Sequence, residues 1–338
     1  MRYLAILSLI IFQALWAGEN PQARFLIYED GKYGFIDAQG NEVIPPQFER
    51  CAPFQEGRAR FFAAGKWGFI DANGRAVVPA IYDEAMNFSE GLAAVRKGRL
   101  WGFIDKNGSV VVPFNYTNAL RFKEGLAPVK MAYRFGFFWI NRGYGYINSQ
   151  NEIVIPPRYD YAYSFSDGLA AVNYTKKILY IIPIYEKREF IDHEGEVRIS
   201  ANNYKGLTSF SEGLARFQEK NMIGFIDTTG QVIIEPQFQR ASQFSEGLAA
   251  VKLDKWGFVN KAGKLVIPPQ YDYAFSFSDS LAAVRRDNKW MFINHEGKVA
   301  VKGLFENCTS FKNGLANVLI NGKSCYINKN GEIVWQSK

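Results

Sequence analysis

Residues 66–99 read K-W-G-F-I-D-A-N-G-R-A-V-V-P-A-I-Y-D-E-A-M-N-F-S-E-G-L-A-A-V-R-K-G-R, and residues 100–105 begin the phrase again as L-W-G-F-I-D. The Trp-Gly slot recurs through the chain, at Tyr33-Gly34, Trp67-Gly68, Trp101-Gly102, Tyr144-Gly145, Arg188-Glu189, Ile223-Gly224, Trp256-Gly257, Trp290-Met291 and Ser324-Cys325. The steps between slots are 34, 34, 43, 44, 35, 33, 34 and 34 residues. A fixed period of this length marks tandem structural units, each burying its apolar face against its neighbours.

One phrase resolves into three strands. W-G-F-I-D is short, aromatic and β-branched, which suits a pleated strand. The D-x-x-G step after it, as in Asp105–Gly108, is a hairpin signal, because an Asp or Asn caps its own turn and Gly supplies positive φ. V-I-P-P is a second strand, and its prolines place it at an edge. The Y-D-x-A-x-x-F-S-E-G segment is a compact connection, and G-L-A-A-V is the third strand. No stretch carries helical periodicity beyond a turn or two.

The fold class expected is therefore all-β, built from tandem three-stranded antiparallel units of ~34 residues. Phe25-Leu26-Ile27-Tyr28 fills the first L-A-A-V slot and Glu332-Ile333-Val334-Trp335 the last V-I-P-P slot, so nine units are complete. No unit is split between the termini, and nine exceeds the usual propeller range of about 4–8 blades. An open, curved β-repeat array is expected on these grounds; a closed, propeller-like ring is the alternative.

The phrases at Lys66–Asp71, Leu100–Asp105 and Lys255–Asn260 resemble the WG (KWG) repeat of bacterial proteins. The resemblance covers nearly the whole chain after residue 17. It implies a binding or scaffolding element with no shared catalytic residues. Arg188-Glu189, Trp290-Met291 and Ser324-Cys325 depart from the motif.

The first 17 residues are of another kind. Arg2 precedes an apolar run over Leu4–Leu15, and Ala17-Gly18 offers small residues for cleavage. This is a secretory signal pattern, too short for a comfortable membrane span. The expected organisation is a signal peptide at 1–17 and nine repeats over 18–338, with a periplasmic or secreted product and no transmembrane segment.

The 338 residues carry a net charge of +7, 22% charged residues and 16% aromatics. Such a composition argues against disorder. The Lys and Arg residues are interspersed, which favours a basic surface over a specific nucleic-acid site. Cys51, Cys308 and Cys325 form no disulfide framework and no zinc spacing, although Cys308 and Cys325 are close enough in sequence to pair.

The acids of the F-S-E-G turns (Glu56, Glu90, Glu124, Asp167, Glu212, Glu246, Asp279) recur from unit to unit in seven of the nine, which fits turn hydrogen bonding better than catalysis. One Asp or Asn per hairpin is too few oxygens for calcium. His193 and His295 read as exposed turn residues, and Trp67, Trp101 and Trp256 as buried anchors. No catalytic motif, metal set or cofactor signature appears.

Function is expected to be non-enzymatic, as a binding or scaffold module for a protein or an acidic glycan of the cell envelope. The alternative is a glycan-active enzyme on a propeller-like ring, which needs a converging acid pair. Two neighbouring units are overlong, and both extra stretches, 131–143 and 174–187, fall between the L-A-A-V and W-G strands. Insertions at one slot of adjacent repeats map to one face, often the binding face. The candidate binding residues are Tyr133, Arg134, Phe135, Phe138, Trp139, Arg142, Lys176, Lys177, Tyr180 and Tyr185, since aromatic residues and Arg dominate interface hot spots. Long hairpins bracing the middle of the array are the competing explanation.

Overall fold

The computed structural model describes residues 23–338 except 136, 137, 179–181, 202, 203 and 205, and within 133–141 and 176–186 it describes backbone alone. The expected signal segment and Tyr180 lie outside the described residues. The described residues form nine antiparallel sheets and no helix. In the third sheet Ala93–Lys97, Leu100–Ile104 and Val110–Tyr116 supply the expected meander. A further two-residue strand, Glu84–Ala85, pairs with Arg96 and Val95. Seven sheets have this fourth strand, while the first and sixth have three strands. The three-stranded expectation falls short because two residues are too few to carry a period-2 signal.

The open array is corrected to a closed ring, the alternative reading. Each sheet packs on the next through its own apolar cluster, such as Phe103 and Val112 of the third sheet against Phe122 and Val129 of the fourth. The same arrangement joins the ninth sheet to the first, where Phe25, Ile27 and Ile36 meet Leu315, Tyr326 and Trp335. The Phe25 and Tyr326 rings lie 5.7 Å apart, and the backbone N–H of Lys338 donates to Glu29 at 3.2 Å. Closure thus comes from packing of two complete sheets, and among the described residues no strand is shared between the termini. The nine complete units therefore never argued against a ring.

The Trp-Gly slot has a steric cause. In the third sheet Trp101 faces Tyr116 and Phe103 faces Val112, so the outer strand bulges where it passes Gly102. A Cβ on Gly102 would lie 2.6 Å from the Val112 carbonyl oxygen. Three units lack this glycine, and they relieve the clash in two ways. In the fifth sheet Glu189 pairs with Ser200 and Phe190 with Ile199, with no bulge between them. The ninth sheet does the same, with Cys325 opposite Gln336 and Tyr326 opposite Trp335. Both outer strands are then short, Val197–Ser200 and Ile333–Gln336. The eighth sheet keeps its bulge beside Met291, but Lys302-Gly303 replaces Pro-Pro, and Gly303 adopts φ +123°, closed to proline.

Trp101 and Trp256 are buried, as expected, but Trp67 is only half-buried. It lies between the guanidinium groups of Arg50 and Arg60, 4.9 and 5.1 Å from its ring. Cys51, Cys308 and Cys325 are free thiols. Cys308 and Cys325 share the apolar cluster between the eighth and ninth sheets without being joined.

Candidate binding groove in the irregular sector

The L-A-A-V strand starts beside the end of W-G-F-I-D, as Ala93 opposite Ile104 shows, so the F-S-E-G and D-x-x-G turns share one face of the ring. The hairpins leading into Trp-Gly stand on the other face.

On the turn face the recurrent acids hold the ring together. Glu90 has φ +55° and Gly91 +80°, the left-handed pair of a tight hairpin turn. A glutamate is uncommon in that region. Its reach accounts for it: Glu56 accepts the N–H groups of Glu90 and Gly91 in the next sheet at 2.7 and 2.9 Å, and Glu90 accepts those of Glu124 and Gly125. The adjacent serines add a parallel bond, Ser89 Oγ to the Phe122 carbonyl at 2.8 Å. The acids therefore bond forward to the neighbouring turn, whereas the hairpin acids bond their own. Asp105 accepts the N–H groups of Asn107 and Ser109 at 2.9 and 2.8 Å.

The histidines are more engaged than exposed turn residues. His193 stacks on Phe165 at 4.2 Å and reaches Glu124 at 3.4 Å. His295 repeats this on Phe277 and Glu246. Lys106 and Lys261 make the corresponding contacts to Glu56 and Glu212. These side chains brace adjacent sheets.

On the hairpin face the two long inserts prolong their own ladders. Ala127–Phe135 pairs with Phe138–Ile147, ending at Phe135 opposite Phe138, and Ala170–Ile178 pairs with Ile182–Ile191, ending at Ile178 opposite Ile182. Tyr133, Arg134, Phe135, Phe138 and Trp139 thus sit on one extended hairpin, and Lys176, Lys177 and Tyr185 on the next. Among these predicted residues Arg142 has a described side chain, and it is exposed.

A groove follows the seam between the fourth and fifth sheets. Near the foot of the first hairpin a cavity of about 480 Å³ is lined by Lys130, Arg142, Arg158, Tyr159, Asp160 and Thr175. Arg158 and Tyr159 also line a second cavity, of about 380 Å³, with Tyr174, Glu189, Glu196 and Val197. Both volumes fall in the range of small-molecule sites, about 300–1,000 Å³. A third cavity of about 270 Å³ flanks the fifth sheet on its other side, lined by Asn173, Arg188, Glu189, Thr208 and Ser209.

Glu189 is the unusual group in this sector. It occupies the glycine slot and is only 6% exposed. Its Oε1 accepts from the Tyr174 hydroxyl at 3.3 Å and lies 3.5 Å from Lys187 Nζ. Lys187 also sits over the Tyr174 ring. Arg158 donates from Nε to the Tyr159 hydroxyl at 2.9 Å and from Nη2 to the Gly195 carbonyl at 2.7 Å. Burial raises the Tyr159 hydroxyl above its ordinary pKa, against the pull of Arg158. Lys130, Arg142 and Arg158 face one acid, Asp160, whose carboxylate accepts the Thr175 N–H at 2.7 Å. Sequence reasoning reaches Arg142 but misses Arg158, Tyr159, Tyr174 and Glu189. The available signal is the joint loss, within one unit, of the slot glycine and of Pro-Pro. Among the described residues no group of three His, Cys, Asp or Glu side chains is arranged to hold a metal. No helix among them is long and apolar enough to cross a membrane.

The family model for the WG containing repeat matches residues 33–67, 67–101, 101–134, 144–177, 190–222, 223–255, 256–290 and 290–323. The chain belongs to the WG-repeat family, and its nine sheets form a propeller-like ring. No curated protein matches it. Among solved structures it is similar to apo AztD from Citrobacter koseri, at 9% identity over 93% of this chain and 94% of that one, with a TM-score of 0.42. It is also similar to Hsv2p from Kluyveromyces lactis, at 7% identity over 75% and 96% of the two chains, with a TM-score of 0.41. Values this low transfer no function.

Proposed function

We propose that this ring is a non-enzymatic binding module of the cell envelope, and that its fourth and fifth sheets form the ligand-binding sector for a protein or an acidic glycan. The observation that carries the reading is the coincidence of three departures in adjacent units. Two overlong hairpins rise side by side, the fifth sheet loses the bulge at its slot, and a groove with a cationic end opens in the seam below. The remaining sheets have hairpins of ordinary length into the Trp-Gly slot, the ninth included although it too lacks the slot bulge, and they serve as the frame. Export is supported by the Arg2, Leu4–Leu15, Ala17 order of the first 17 residues.

The test is to shorten both hairpins to the turn length of the other sheets. Retention on envelope fractions and on a glycan array is then compared with that of the parent. Loss of retention with an unchanged melting temperature supports the reading. Full retention overturns it. Release of reducing sugar from any bound glycan would favour a hydrolase instead.

A further inference from the structure

We propose that the cavity beside Glu189 is a sugar subsite, so that the groove takes a carboxylate-bearing oligosaccharide. This rests on the binding role proposed above and names its ligand class. In a regular unit the slot holds glycine because backbone fills the space. Here the outer strand runs without the bulge at the slot, and the slot carries a buried carboxylate beside a cluster of apolar residues. Burying such a group is unfavourable unless it is well partnered. Its partners, Tyr174 and Lys187, stand at the long end of hydrogen-bonding range, and both address the same oxygen, Oε1.

The surroundings match a sugar ring. Tyr159 and Tyr174, with ring centroids 6.2 Å apart, give the cavity an aromatic wall for the C–H face of a pyranose. Glu189 offers acceptors and Arg158 offers donors, and both groups have the planar, two-pronged geometry that suits neighbouring hydroxyls. Lys187 already answers the Glu189 charge, so the cavity favours a neutral polyol portion over a cation. The acid group belongs at the other end, where the cavity is lined by the cationic side chains of Lys130 and Arg158 with one carboxylate, Asp160, that is already bonded to the Thr175 N–H. Arg158 and Tyr159 line both cavities, so one ligand of two or three sugar units can span them.

The experiment is isothermal titration calorimetry on the full chain with short oligomers of galacturonate, glucuronate and sialate. Carboxyl-reduced counterparts and triglutamate serve as comparisons. At least one acidic oligosaccharide is expected to bind, at least tenfold more tightly than its reduced form, and more weakly as salt rises. Glu189→Gln and Tyr174→Phe should each weaken it at least fivefold at unchanged melting temperature. If Glu189→Gln does not fold, Tyr174→Phe alone decides. The proposal is overturned if no acidic oligosaccharide binds, if triglutamate binds equally well, or if the variants that fold bind as the parent does. Hairpin-dependent retention of some other envelope component, with none of these sugars bound, would sink the subsite and leave the binding role standing.

Discussion

The hydroxyl of Tyr326 donates to the carbonyl of Leu26 at 2.8 Å, across 300 residues of chain. That bond spans the seam where the last sheet meets the first. Replacing Tyr326 by Phe keeps the ring shape but leaves the carbonyl without this donor. A loss of about 1–2 kcal/mol is expected in urea unfolding. An unchanged midpoint would mean that the seam does not contribute to stability.

Alkaline pH should loosen the same seam. Burial raises the Tyr326 hydroxyl from 10.0 to about 12, and burial also raises Tyr82, Tyr116 and Tyr271. These groups ionise more readily unfolded than folded. The stabilisation from Tyr326 is complete below pH 10 and declines as pH rises from there through about 12, and the other three act in the same direction. Melting temperatures measured from pH 8 to 12 should fall above pH 10, and fall less for Tyr326→Phe.

In acid the turn face should weaken. Burial alone would raise the Glu56 carboxyl, but the N–H groups of Gly91 and Glu90, with Lys106, outweigh it and hold the pKa below its ordinary 4.5. Asp227 is held below 3.8, chiefly by the Thr229 hydroxyl. Groups lowered on folding stabilise above their unfolded pKa and lose that contribution as pH falls through the folded value. Stability should therefore be flat from pH 7 down to about 5 and decline below it, with a shallower decline in Glu56→Gln.

Gly102→Ala should destabilise by about 2 kcal/mol or more, because the added methyl meets the Val112 carbonyl, which is fixed backbone. Gly303→Pro should destabilise by about 3 kcal/mol or more, since φ +123° is outside proline's range. Thermal melts of the two variants test the steric account of the slot. A neutral Gly102→Ala would refute it.

Trp101→Ala should cost about 3–5 kcal/mol, as expected for a large buried side chain. Trp67→Ala should cost clearly less, because that ring is half-buried between two arginines. Denaturant titration of both variants gives the comparison, and equal losses would contradict the burial difference.

The period revealed what is local. Strand, hairpin turn and capping Asp follow from neighbours in sequence, and Asp105 caps its turn as its spacing predicts. Closure was not legible, because the angle between successive sheets leaves no mark on a single unit. The forward bonding of Glu90 was missed for a related reason: its partner lies 34 residues away in an identical turn. Of the groove, the overlong hairpins announced the sector. Tyr159 escaped notice because its repeat position packs elsewhere, as Tyr116 and Tyr271 do, and Arg158 and Tyr174 because theirs vary freely on the surface, as Ile81, Leu304 and Lys97 show. Glu189 looked like decay of the motif, whereas it and the lost bulge compensate each other.

Each acid of the turn face clasps the sheet that follows it, and the last turn carries Asn313 where the others carry Glu or Asp. The first sheet has no matching turn among its described residues, and beyond Asn313 lies a hollow lined by Ala23, Arg24 and Glu56. Two joints beside the first sheet thus lack an acid clasp among the described residues: the one to the second sheet keeps the covalent chain, and the one to the ninth has neither. Pulled or partly denatured, the bracelet should part at the ninth sheet first and open as a strip whose other joints still hold.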